Sequence, residues 1–113
     1  MIEKTILDYL SEKLDCPVIM ERDGETAPFV LIQKTGSDRE NRINSATIAL
    51  QSYSDTLYNA ALLNENVISA ISDMVELDTI FKVNLNSDYE FTNRETKEYR
   101  YQALFDIRYS MEG

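Results

Sequence analysis

The chain of 113 residues contains no histidine. Histidine is the side chain most used for proton transfer near neutral pH. Its absence excludes a Ser-His-Asp or Cys-His nucleophile system built from this chain, and it excludes imidazole zinc sites. There is one cysteine, Cys16, so neither an internal disulfide nor a cysteine-rich metal site is available. That usage implies no oxidising compartment. The three glycines stand far apart, which leaves no glycine-rich phosphate loop. No stretch approaches the roughly 18 apolar residues of a membrane span. The opening MIEKTILDYLSEKL lacks the basic start and apolar run of a signal peptide. A protein made and used in a cytoplasm, with no membrane partner, is expected.

Positive charge is scarce as well. The formal net charge is −9, and no Lys or Arg occurs between Arg42 and Lys82, where Asp55, Glu65, Asp73, Glu76 and Asp78 lie. Such a surface repels phosphate backbones, so no sequence-specific nucleic-acid partner is expected. An acidic face ordinarily just keeps a protein soluble. The sharper reading is a surface past which a polyanion slides without sticking.

What is present offers little chemistry. Glu21, Asp23 and Glu25 alternate around Gly24, but the spacing departs from a calcium loop and no Glu closes it. Asp88 and Glu90 flank Tyr89 as ordinary solvated acids of a strand. Cys16 precedes Pro17 without an evident base and reads as a small, half-buried apolar residue. Seven tyrosines could stack on bases, yet only Arg100 and Arg108 accompany Tyr99, Tyr101 and Tyr109. Those three read as core-face or interface residues. No catalytic residue, metal ligand or cofactor is assigned, and a non-catalytic protein that works by assembling with others is expected.

Hydrophobic residues make up 43% of the chain, enough for one folded domain over residues 1–113. Ile2, Ile6, Tyr9, Leu10 and Leu14 recur at helical spacing and predict a helix over 2–14, stopped by Pro17. Residues 18–21 and 29–35 predict a hairpin through the Asp23-Gly24 turn signal. Residues 36–44, polar and charged, predict a mobile loop. A strand over 45–53 follows, with Ala46, Ile48 and Leu50 on one side and Thr47, Gln51 and Tyr53 on the other. Ser54 is the expected N-cap of a long helix to about residue 75, with a stripe of Leu57, Ala61, Asn64, Ile68, Ile71 and Val75. Two strands close the chain. Phe81, Val83 and Leu85 alternate in the first, and Tyr99 to Tyr109 alternate in the second, joined by a charged turn over 93–98. The fold class is α+β, with a mainly antiparallel four- to five-stranded sheet, two helices packed on it, and the order α-β-β-β-α-β-β.

This arrangement is familiar. The first helix, FVLIQKTGS, a charged loop, ATIALQSYS, DTLYNAALLNENVISAI and EYRYQALFDIRY together resemble the tail terminator proteins of long-tailed bacteriophages, also described as tail completion, head-tail joining or minor capsid proteins. The likeness covers residues 2–110. It lies in a strand ending in Thr35-Gly36, an alternating strand ending in Tyr53-Ser54, an alanine-bearing helix, and Arg100-Tyr101-Gln102 in the last strand. Ser37 replaces a second glycine and Tyr53 replaces a tryptophan found in that pattern.

The resemblance implies a viral structural protein, in the virion at the head-tail interface and in the bacterial host cytoplasm during assembly. Its partners would be further copies of itself in a ring (typically a hexamer), the tail tube protein and the head-tail connector, with DNA passing through the lumen. A ring needs two different patches of one chain to meet. Asp38, Arg39, Glu40 and Arg42 in the first charged loop, and Arg94, Glu95 and Lys97 in the second, are the candidate inter-subunit contacts. Two other readings stand beside it: a head-side stopper or adaptor of the connector, and an acidic DNA-mimic inhibitor that binds a host protein.

Overall fold

Apolar spacing and a proline set the first element. In the computed structural model, in which residues 1–110 are described, α1 (Ile2–Lys13) buries Ile2, Ile6, Tyr9 and Leu10 against the sheet. The helix ends at Leu14, which is extended, three residues before Pro17.

The next segment corrects the expected hairpin. β1 (Val18–Ile19) pairs with β2 (Phe29–Glu40) in parallel, through Val18↔Val30 and Ile19↔Leu31. Parallel neighbours cannot be joined by a tight turn. The Asp23-Gly24 pair instead turns the chain inside a crossover over 20–28, where Gly24 takes a φ of +76° that suits a residue without a Cβ. Glu25 Oε2 accepts the Asp23 backbone N–H at 2.6 Å, so the turn is closed by its own residues.

The charged stretch over 36–44 is also not a loop. β2 continues to Glu40 and β3 (Ile43–Ser54) returns at once, paired from Glu40↔Ile43 to Phe29↔Tyr53. Only Asn41 and Arg42 turn, with φ of 52° and 67°, the two positive values of a tight hairpin. A shift in register between Lys34 and Gly36 is the one irregularity of this pair.

α2 (Leu57–Ser72) runs back over the sheet, and Asp73–Glu76 tightens into a 3-10 turn. Its N-cap is Thr56, whose Oγ1 accepts the Asn59 N–H at 3.0 Å, while Ser54 belongs to β3. The buried stripe is Ala60, Asn64, Val67 and Ile71, continued by Met74. Asn64 and Ile71 are as expected, but Ala60, Val67 and Met74 are buried where Ala61, Ile68 and Val75 were expected, and Val75 is 49% exposed.

β4 (Ile80–Glu90) and β5 (Tyr99–Tyr109) complete a mixed five-stranded sheet, ordered β1-β2-β3-β5-β4. Apart from β1–β2, every pairing is antiparallel. Both helices lie on one side. The core under them gathers Ile6, Leu10, Ile32, Ile48, Leu50, Val67, Ile71, Phe105 and Ile107. Phe105 stands opposite Ile48 on one neighbour and Leu85 on the other. Phe81 falls in a bulge of β4 and Leu85 near its rim, so both are exposed despite their alternation.

Two tyrosines at the core margin carry a pH signature. Burial raises the Tyr9 and Tyr109 hydroxyls above their ordinary value of 10.0, reinforced by Glu76 beside Tyr9 and Glu3 beside Tyr109. A group raised in the folded state contributes stability that is complete below its unfolded pKa and is lost as pH rises through the folded one. The urea midpoint is expected to hold steady up to the ordinary tyrosine value and to fall above it. Tyr9→Phe is expected to flatten that fall, and an equal fall in wild type and variant would remove Tyr9 from the account.

Candidate assembly surfaces

The sheet face opposite the helices is covered only at one end. There Phe29, Leu31 and Tyr53 form a second small core with Ile19 and Ala27. Phe29 and Tyr53 stack at 4.5 Å between centroids, and the Arg22 guanidinium lies 5.2 Å and 5.0 Å from their rings. Arg22 Nη1 also meets Glu98 Oε2 at 2.9 Å, so the 20–28 crossover is tied across the sheet to the base of the β4–β5 turn. Arg100 extends this cluster, with Nη1 donating to the Tyr53 hydroxyl at 2.9 Å and its guanidinium 4.4 Å from the Phe91 ring.

A row of amides crosses the middle of the same face. Gln51 Nε2 donates to Gln102 Oε1 at 2.8 Å and to Gln33 Oε1 at 3.4 Å, and Gln102 Nε2 donates to the Tyr89 hydroxyl. The Tyr53 hydroxyl donates to Gln51 Oε1 at 3.2 Å. Gln51 and Gln102 are buried by their neighbours on the sheet, although no helix lies over them. Their polar ends satisfy one another, which lets a flat face stay apolar enough to pack and polar enough to meet water.

Towards the β2–β3 turn the face becomes a shallow groove lined by Gly36, Asp38, Thr47, Lys82, Asp106 and Arg108. Asp106 accepts from Thr47 Oγ1 at 2.9 Å and from Asn86 Nδ2 at 3.0 Å. Asp38 Oδ1 accepts the Arg39 backbone N–H at 2.8 Å.

No family model matches the chain, and no curated protein matches it.

The seven expected contact residues fall into two groups rather than one. Asp38, Arg39, Glu40 and Arg42 are exposed at the β2–β3 turn. Arg94, Glu95 and Lys97 are exposed in the β4–β5 turn, closed by the Asn93↔Glu98 bridge. β3 and β5 pair from Asn44↔Tyr109 to Ser54↔Tyr99, so the turns sit at opposite ends of a molecule 45 Å long. Arg94 is already engaged, with Nη2 2.7 Å from Glu90 Oε2.

Elsewhere the acids and the thiol are unremarkable. Among the described residues no group of three or more acidic or cysteine side chains could hold a metal ion. Cys16 is half-buried beside the C-terminal end of α1, and burial raises its thiol pKa. A thiol shifted in that direction is a poor nucleophile. No helix is long and apolar enough to cross a membrane, among the described residues. The amide row and the Lys82–Arg108 pair were missed by reading the sequence. Their only sequence signal is the polar half of the β5 alternation, Arg100, Gln102, Asp106 and Arg108.

Proposed function

We propose that this chain is a phage structural protein of the tail-terminator kind. Copies form a ring on the head-proximal end of the tail tube, stop further tube growth, and present the surface to which the head connector joins. The protein acts by assembly and not by catalysis. The observation that carries this reading is the separation of its charged turns. One group of candidate contacts lies at each end of a 45 Å molecule, so copies standing side by side in a ring would turn one charged group toward the tube and the other toward the connector. The ring itself needs two further, different patches that meet between copies. The residue pattern described above supports the same reading, and a net charge of −9 per copy would keep a DNA conduit from holding its cargo.

Deletion of the gene in a phage that encodes it tests the proposal. Electron microscopy is expected to show overlong tails, or tails unjoined to heads, and purified protein is expected to bind at one end of isolated tubes. Heads that leak DNA beside normal tails would move the chain to the head-side stopper. Normal joined tails of fixed length would end the proposal.

A further inference from the structure

The helix-free face holds two cations in an unusual position. Lys82 and Arg108 are register partners on neighbouring strands, both exposed. Like charges directly opposite one another are unfavourable in a sheet. Among the described residues neither takes part in an ion pair within 4.0 Å. Asp106 and Asp38, which share the groove, accept hydrogen bonds from Thr47, Asn86 and the Arg39 backbone N–H and form no ion pair with the two cations. A protein of net charge −9 thus keeps two exposed cations side by side without a direct ion pair.

The opposite side of the molecule carries the complement. α2 and the start of the 3-10 turn after it present an outward ridge of Tyr58, Leu62, Ser69 and Asp73, residues spaced at helical turns and all exposed. Asp73 and Asp78 at its far end take part in no ion pair among the described residues. Tyr58 and Leu62, at its near end, are 76% and 49% exposed. The helix starts beside the β5 end that holds Tyr99 and finishes beside the start of β4, where the Ile80 N–H donates to Leu77. Asp73 and Asp78 thus lie at the Lys82–Arg108 end of the long axis. Tyr58 and Leu62 lie at the other end, where Tyr89 and Phe91 meet edge to face and stand 41% and 38% exposed on the open face.

We infer that the open sheet face of one copy receives the α2 ridge of the next, with Lys82 and Arg108 against Asp73 and Asp78, and Tyr89 and Phe91 against Tyr58 and Leu62. This rests on the ring reading and specifies its interface. The matching patches sit at the same end but on opposite faces. Copies related by rotation about an axis along their length would bring them together, and that operation closes a ring.

Charge swapping tests it by sedimentation of the full chain over a range of concentration and salt. Wild type is expected to self-associate, and more weakly as salt rises. K82E/R108E and D73K/D78K are each expected to weaken association at least tenfold. The fourfold swap is expected to recover most of the loss, and circular dichroism is expected to be unchanged because all four positions are exposed. Self-association that ignores both double variants would overturn this interface and leave the ring intact. A fourfold variant as weak as its parents would also overturn it. Inorganic phosphate that saturates Lys82 and Arg108, with association unaffected by the swaps, would make the pair a small-anion site. A wild type that stays monomeric at every concentration would overturn this interface, and one that also fails to bind tube ends would end the ring reading.

Discussion

Phe105→Ala is expected to cost about 3–5 kcal/mol of stability, the range for removing a fully buried aromatic ring. A domain of this size has only about 5–15 kcal/mol in total. The ring is fully buried in β5, which has a neighbour on each side, and the helices close over it. Both adjacent strands place an apolar residue opposite it, so no single side chain can move in to fill the space. With a urea slope of about 1–3 kcal/mol/M, the midpoint should fall by about 2 M. Phe105→Leu keeps most of the volume and should lose about 1–2 kcal/mol. A loss below about 1 kcal/mol for the alanine variant would mean that the layers are not packed at this point.

The second large effect belongs to the other face. Gln51→Ala should cost about 2 kcal/mol, because it strips a partner from Gln102 Oε1 and another from the Tyr53 hydroxyl. Two controls separate this from lost packing. Gln51→Leu restores volume without hydrogen bonds, so it should be nearly as unstable as the alanine variant. In a double-mutant cycle, Gln51→Ala and Gln102→Ala should together cost about 1 kcal/mol less than their separate costs, since each already breaks the bond they share. Strict additivity would show that the row is a set of independent solvated amides.

These two sites differ in how readily they could be read from the chain. Phe105 lies in the clearest alternation of the sequence, where Ala103, Phe105, Ile107 and Tyr109 are all buried. α1 and the centre of β3 were equally plain, because each sets one apolar face against a covered layer. The β2–β3 turn was hidden for the converse reason. Gly36 to Glu40 pairs fully by backbone, but both of its faces reach water beyond the helices, so its side chains carry no period. The parallel β1–β2 pair was hidden because two residues are too few for a pattern, and the Asp-Gly signal marks a turn without saying what it joins. In α2 the stripe was read one position off at Ala61, Ile68 and Val75, because apolar residues stand in adjacent pairs at 60–61, 67–68 and 74–75 and either member of a pair fits a helical period. The candidate contacts were legible as two charged segments, although the first was expected to be a loop and Asp38, Arg39 and Glu40 belong to β2. Their distribution between two ends was not, because it depends on the direction in which β3 and β5 run.

The shifts in register of β4 have a further consequence. β4 is the long outer strand of the sheet, with unpaired peptide groups along one side. A strand of that kind is a template on which other chains can stack into fibrils. Here the pairing slips between Ile80 and Lys82 and again between Leu85 and Ser87. Each slip bends and twists the strand and leaves no straight run of the six or so residues that a cross-β spine requires. A subunit whose proposed task is to end a growing polymer thus carries, on the β4 side of its sheet, no straight edge on which one could start.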